Sequence, residues 1–297
     1  MTGGRFCLVA VALIWLVGGC RLPGMDGPAS RSMIQSRQLS QQGVAALERG
    51  QWDRADELLA EAVHACPSNP DARRSYADAR WNRGLRNEAL TELETARRLA
   101  PDNAAILVRL AEMRLAMGQA EAALESAQRA LDLEPKSAAG WAVRAQIMRA
   151  ARNPTQALAD YHRAVSYAPE DRAIPCQIAA LYLELNQPQR ALATIQGLAD
   201  RYSPGDEPQE VLYYQGLSYL AVARYDDAVE SLAAAARDRP TAEILCRLAQ
   251  AQWAAGRATE ALAAAEQALA IDPRHQPSRQ FLEQTQVARQ TGGQQRR

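Results

Sequence analysis

Apolar residues recur along most of the chain three and four positions apart, which is the period of an amphipathic helix. The segment WDRADELLAEAVHACP, from Trp52 to Pro67, shows this pattern, with alanine and leucine on one face and charged side chains on the other. Proline lacks a backbone N–H and collides with the preceding helical turn, so Pro67 marks the end of this helix. No stretch of the sequence alternates in the manner of a strand rich in valine, isoleucine and threonine. The pattern therefore predicts an all-α chain.

This helix belongs to a repeat of 34 residues that begins at Ser36 and fills seven rows. Most rows carry a small residue, an alanine twelve positions later, a further small residue seven positions on and a proline five beyond it. The first small residue is Gly43, Ala77, Ala111, Ala145, Ala179, Gly216 or Ala249. The alanine that follows it is Ala55, Ala89, Ala123, Ala157, Ala191, Ala228 or Ala261. Because larger side chains would hold two crossing helices apart, these positions predict a helix pair in every row.

The 34-residue period and the spacing of the small residues, the alanine and the proline together resemble the tetratricopeptide repeat (TPR). The resemblance covers residues 36–275 and implies an all-α, right-handed α-solenoid of seven TPR helix pairs, with helices A and B antiparallel in each row. The rows are 36–69, 70–103, 104–137, 138–171, 172–208, 209–241 and 242–275. Since the last row needs a cover, the segment 276–290 predicts a C-terminal capping helix with Phe281 and Leu282 turned inward. Residues 291–297 predict a disordered tail.

Some rows depart from the family's pattern. Arg80 and Arg114 occupy a helix A position that is usually aromatic, and Trp81 and Leu115 follow them directly. A glycine between helices A and B, where a left-handed turn is useful, occurs in only four rows, at Gly50, Gly84, Gly118 and Gly256.

The largest departure lies between rows five and six. Ser203 replaces the terminal proline, Leu198 replaces the second small residue, and three residues are inserted before row six. A bulkier side chain and a loop rich in proline and glycine predict a bend or hinge at this joint. The alternative is that the insertion bulges into solvent and leaves the stack undisturbed.

The N-terminus has the features of an export signal. Arg5 precedes a short apolar stretch, 6–17, which ends in Gly18, Gly19 and Cys20. Small residues followed by cysteine resemble the bacterial lipobox, which implies a signal peptide over 1–19 and lipid attachment at Cys20. Residues 20–35 predict the lipidated cysteine and a flexible tether. A plain cleaved signal and an uncleaved short anchor are the alternatives.

Composition narrows the class of protein further. The chain has 297 residues, 34 basic and 34 acidic, so no basic field favours nucleic acid. Its three histidines form no zinc-protease motif, and neither a nucleophile elbow nor a phosphate loop occurs. These observations predict no enzymatic activity, no cofactor and no metal. Cys66, Cys176 and Cys246 predict three buried or partly buried free thiols.

The TPR resemblance implies that helix A lines a concave groove that binds protein or peptide segments. Its usual contact positions fall on Arg74, Asp78, Trp81, Arg109, Glu112, Gln146, Arg149, Cys176, Gln177, Leu183, Tyr213, Tyr214 and Leu217. The first half of this set is charged and the second is more apolar. The family's lysine–asparagine clamp for a terminal carboxylate does not occur at these positions.

The sequence as a whole predicts a non-catalytic TPR scaffold in the bacterial cell envelope. Lipid on Cys20 would anchor it to a membrane with the repeats facing the periplasm, in a role in envelope assembly. Two alternatives stay open. One is a cytoplasm-facing adaptor held by an uncleaved anchor, and the other is an accessory subunit of an envelope enzyme.

Overall fold

The computed structural model describes residues 28–294, with side-chain environments from residue 30 to residue 285. Over that range the backbone forms fifteen α-helices and no strand. They are α1 Pro28–Glu48, α2 Trp52–Ala65, α3 Pro70–Asn82, α4 Arg86–Leu99, α5 Ala104–Ala116, α6 Ala120–Leu133, α7 Ala138–Ala150, α8 Pro154–Tyr167, α9 Ala173–Glu184, α10 Pro188–Ala199, α11 Gln209–Ala221, α12 Tyr225–Ala236, α13 Ala242–Ala254, α14 Ala258–Ile271 and α15 Gln276–Gln294. The predicted all-α class is confirmed.

The chain divides into two compact units, and the first ends at Leu99. In this unit α1 packs against α2 and α3, and α3 packs against α4. Its core includes Ala55, Leu59 and Tyr76, all of them buried. Both helices of row one and the first helix of row two therefore share one apolar interior.

The second unit begins at Ala100 and contains α5 to α15. Each of these helices contacts the next one along the chain, and alternate helices also meet, as in α5 with α7, α9 with α11 and α13 with α15. Packing between neighbours and next neighbours along the chain is the arrangement of a helical solenoid. The predicted solenoid of helix pairs is thus confirmed.

Small residues allow each helix pair to pack closely. The alanine common to all seven rows has no exposed surface in any of them. In the first and sixth rows the opposing small residue is glycine, and a Cβ atom on Gly43 or Gly216 would lie 2.5 Å from the Cγ atom of Leu59 or Leu232. A carbon contact of ordinary length is about 3.5–4.0 Å. The leucine on helix B therefore fills the space that the missing Cβ leaves.

The turn between helices A and B is left-handed in every row. The four glycines predicted for it have φ between 70° and 82°. In the remaining rows Arg152, Asn186 and Ala223 adopt the same conformation, with φ of 57°, 54° and 60°. Residues with a Cβ atom are disfavoured there, so packing of the two helices imposes this turn even without glycine.

The two unusual arginines bond to the helices that pack beside them. The guanidinium of Arg80 stacks 4.4 Å from the ring centre of Tyr76 and pairs with Glu88. Arg114 donates from Nη1 to the hydroxyl of Ser126 at 2.7 Å and to a carbonyl oxygen of α6 at 3.1 Å. In these rows a polar bridge between helices A and B takes the place of the aromatic contact.

Two predicted boundaries are wrong. Helix α1 begins at Pro28, so residues 28–35 are helical rather than part of the tether. Proline suits a first helical turn, and extending a helix that has already formed costs little because nucleation is complete. Helix α15 likewise continues to Gln294, past the predicted end at residue 290.

The capping helix packs as predicted. Phe281 is buried, with its ring 6.2 Å from that of Trp253 in an edge-to-face contact. Leu282 is partly buried against the same cluster. Helix α15 thus covers apolar surface of row seven.

The core continues through the joint between rows five and six. Leu198 is buried in one cluster with Ile195 and Val211, and Tyr202 packs against it. The inserted loop is mostly exposed, and Gln209 after it donates to two carbonyl oxygens at the end of row six, each at 2.7 Å. The larger residue is therefore accommodated, and the hinge stays a prediction.

Candidate functional site

In the first unit the predicted groove residues lie on one helix. Arg74, Asp78 and Trp81 follow one another at intervals of four and three residues on α3, which places them on a common face. All three are half-buried. The Nε atom of Arg74 is buried without a hydrogen-bond partner, and the guanidinium of Arg86 lies 5.5 Å from the ring centre of Trp81.

In the second unit the first two predicted groove residues, Arg109 and Glu112, carry opposite charges and pair with each other. Arg109 donates from Nη1 to Glu112 at 2.7 Å, and both residues are on α5. Gln146, on α7, is half-buried. At this part of the surface the available polar groups are therefore an arginine–glutamate ion pair and the amide of Gln146.

Arg149 and Gln177 come together from different rows. Arg149 on α7 donates from Nη1 to the amide oxygen of Gln177 on α9 at 3.1 Å. Its Nε and Nη2 atoms both bond to the carboxylate of Glu184, and the Nε contact is 2.9 Å. Sequence reasoning missed Glu184. The available signal was its spacing of 35 residues from Arg149, one more than the repeat, which puts the two on neighbouring A helices.

The prediction that Cys176 lines the groove is wrong. Its side chain has no exposed surface and packs in a cluster with Ala179, Ile195 and Val211. The cause is that α9 and α11 are in contact and the first turn of α9 faces this shared core. Burial raises the pKa of the Cys176 thiol to about 12, so it stays protonated. Cys66 and Cys246 are also buried and free, as predicted.

The paired tyrosines are both half-buried, and each packs against a different core. Their rings meet edge to face, with centres 5.3 Å apart. Tyr213 contacts the row-seven cluster and donates from its hydroxyl to Glu243 at 3.2 Å, whereas Tyr214 contacts the cluster of rows five and six. Burial first, and then the charge of Glu243, raises the pKa of Tyr213 to about 12. Leu217 lies one turn further along α11 and is also half-buried, as is Leu183 on α9.

Glu243 connects several polar side chains near the C-terminal end of the second unit. Its carboxylate accepts a hydrogen bond from Arg247 at 2.7 Å and lies 3.3 Å from Nε2 of His275, whose Nδ1 is 2.8 Å from the hydroxyl of Ser278. Glutamate, histidine and serine in this order also form the hydrogen-bonded triad that activates a serine nucleophile. Ser278, however, has no exposed surface that a substrate could reach. The arrangement instead ties α15 to α13.

Between residues 28 and 294 no group of three histidine, cysteine or carboxylate side chains is placed to hold a metal ion. No described helix combines the length and the apolar character that crossing a bilayer requires. Cys20 and the predicted signal peptide, residues 1–19, lie outside the described residues.

Two family models, each described as tetratricopeptide repeat, match the chain. One matches residues 84–147 and the other residues 40–104 and 213–275. Together they cover more than half of the sequence. No match was found among curated protein sequences.

Solved structures show the same fold at low sequence identity. A tetratricopeptide repeat protein from Parabacteroides merdae superposes with a TM-score of 0.63 over 84% of this chain and 98% of its own, at 16% identity. The APC/C hetero-tetramer Cut9–Hcn1 gives 0.55 over 86% of this chain and 46% of its own, at 14% identity. Pseudomonas aeruginosa pilF gives 0.50 over 86% and 99%, at 16% identity.

Proposed function

This chain belongs to the tetratricopeptide repeat family, and on that premise we propose that it is a non-catalytic scaffold which binds protein segments on its helix A face. The observation that carries the proposal is the half-buried set on α9 and α11, namely Gln177, Tyr213, Tyr214 and Leu217. Tyrosine supplies large, rigid contact area and is enriched at binding hot spots. A net charge of zero gives no support to nucleic acid as the partner.

A photo-crosslinking amino acid at Leu217 tests this proposal in cells. The matched control is the same amino acid at Glu230, which is exposed on helix B of the same row. We expect a discrete crosslinked protein species from position 217 that Tyr214→Ala reduces, and none from position 230. Equal crosslinking from both positions, or none from either, contradicts binding on the helix A face.

We further propose that lipid on Cys20 anchors the chain in the cell envelope, with the repeats facing the periplasm. Support comes from the sequence, where Gly18 and Gly19 precede Cys20 behind a short apolar stretch. Several acyl chains on one residue would hold the protein stably, whereas a single chain binds only marginally. A role in envelope assembly is consistent with such an anchor.

Labelling with radioactive palmitate tests the anchor. We expect the wild-type protein to incorporate label and Cys20→Ser to lose it and accumulate as a larger precursor or leave the membrane. If the Cys20→Ser protein is processed and partitions as before, the lipoprotein assignment is wrong. An unlabelled but membrane-bound wild type favours the uncleaved anchor.

A further inference from the structure

Helix α1 is longer than the helix with which it pairs. It has 21 residues and α2 has 14, and a short turn after Glu48 joins the two. The first two turns of α1 therefore extend about 10 Å beyond the end of α2. Ser36, directly after these turns, has no exposed surface and accepts a hydrogen bond from Asn69 at 3.0 Å. The extra turns thus lead straight into the packed part of the first unit, which fixes their direction.

One side of these turns is exposed and carries an apolar residue between two bases. Ile34 is 53% exposed, more than any other large apolar side chain that the structure describes. Arg31 and Arg37 lie three residues before and after it, so they flank it on the helix surface, and both are exposed. Gln35 and Gln38 are exposed as well. These five residues form the α1 face.

The α1 face has the composition of a helix segment that lies at a bilayer surface. No aspartate or glutamate occurs between Asp26 and Glu48, so α1 supplies no acid beside the two arginines. An arginine can lay its aliphatic stem on apolar surface and keep its guanidinium in the polar layer. Each basic residue near an anionic lipid surface strengthens attachment about fivefold. A single exposed isoleucine is ordinary in itself, but between two bases it favours such a surface.

The proposed lipid on Cys20 brings the α1 face close to a membrane. Pro28, where α1 begins, follows Cys20 by eight residues, and a chain of this length spans no more than about 28 Å. The first turns of α1 would therefore stay near the bilayer. A tether this short also gives a high effective concentration, so contacts that are too weak to bind from solution are sufficient.

We propose that the α1 face docks on the surface of an anionic lipid bilayer. Ile34 enters the boundary between headgroups and acyl chains, and Arg31 and Arg37 bind lipid phosphates. The lipid on Cys20 then holds the protein at the membrane, and the α1 face sets the direction in which the first unit leaves it. This assignment rests on the proposed anchor and adds a second membrane contact. The α1 face shares no residue with the predicted groove.

The test places one fluorophore beside Ile34 in the lipidated protein, reconstituted into vesicles. The native thiols at positions 66, 176 and 246 are buried and the one at position 20 would carry lipid, so an introduced cysteine is labelled selectively. Gln35→Cys carries the environment-sensitive fluorophore NBD. The matched control carries the same label at Glu230→Cys, an exposed position on helix B of row six. The vesicles contain phosphatidylcholine, with or without an equal amount of phosphatidylglycerol, and brominated acyl chains serve as the quencher.

In the phosphatidylglycerol vesicles we expect the label at position 35 to emit at shorter wavelength and to be quenched by the brominated chains. The label at position 230 is expected to do neither. Ile34→Gln is expected to weaken docking about tenfold, and Arg31→Gln or Arg37→Gln about fivefold each. Because all three side chains are exposed, the melting temperature of the protein in detergent should not change.

Three results overturn the docking. They are a label at position 35 that is no better shielded than the label at position 230, equal quenching in both kinds of vesicle, and quenching that Ile34→Gln leaves unchanged. Palmitate labelling of Cys20 reads out the proposed anchor separately. If Cys20 carries lipid while position 35 stays in water, the docking is wrong and the anchor stands. If Cys20 carries no lipid, the anchor is wrong and the docking falls with it.

Discussion

The glycine in the middle of α11 is the sharpest test of how the helix pairs pack. Alanine is a better helix former than glycine by about 1 kcal/mol, so propensity alone predicts that Gly216→Ala stabilises the protein. The structure predicts the opposite. The new Cβ would lie 2.5 Å from Cγ and 3.0 Å from Cδ2 of Leu232, which has no exposed surface. Overpacking of this kind costs about 1–3 kcal/mol, so a net destabilisation of about 1 kcal/mol is expected.

Gly197 provides a control for this substitution, and Leu232→Ala provides a compensating second substitution. Gly197 lies in the neighbouring helix α10 with no atom within 4 Å of its added Cβ, so Gly197→Ala is expected to stabilise by about 1 kcal/mol. Rows three and seven already place alanine on both helices, as in Ala111 with Ala127. Leu232→Ala, which costs about 2–5 kcal/mol alone, should therefore cost less in the Gly216→Ala background.

Urea unfolding followed by circular dichroism measures these differences. Because repeat arrays need not unfold in one step, hydrogen exchange of α11 and α12 locates the effect. Two results would show that Gly216 and Leu232 do not approach closely in solution. One is that Gly216→Ala stabilises as much as Gly197→Ala, and the other is that the effects of Gly216→Ala and Leu232→Ala are additive.

Three further predictions concern the turns, the helix crossings and the charged network. Ala223→Gly is expected to raise stability by about 1 kcal/mol, because Ala223 has φ of 60°; an unchanged urea midpoint would argue against a left-handed turn there. Ala123→Leu is expected to cost about 1–3 kcal/mol, because Ala123 has no exposed surface, and an unchanged melting curve contradicts the assigned repeat register. Although burial acts to raise the pKa of Glu243, the charge of Arg247 and its hydrogen bond hold it below the usual value. Its contribution is therefore present above the unfolded pKa and is lost as the pH falls through the folded pKa. The melting temperature of Glu243→Gln should lie below wild type at pH 7 and converge with it in acid, and a constant difference refutes this.

The repeat register could be predicted from the sequence because its cause is local and periodic. A position that must be small at every helix crossing is occupied by a small residue in each row. Ala55 and Ala261 are equally buried although they lie six rows apart. Proline and glycine mark helix ends by their own backbone limits, without reference to neighbours. The capping helix could also be predicted from the sequence, because the apolar side chains of Phe281 and Leu282 after the last row need an apolar surface to pack against.

The binding surface was only partly predictable, because it depends on how neighbouring rows stack. Repeat position places Cys176 and Gln177 side by side on α9, but contact between α9 and α11 buries the first and leaves the second half-exposed. The pairing of Arg149 with Glu184 joins two rows, and no pattern within one row encodes it. Local sequence thus determines which helices form and where they cross, whereas packing between rows decides which side chains remain available to a partner.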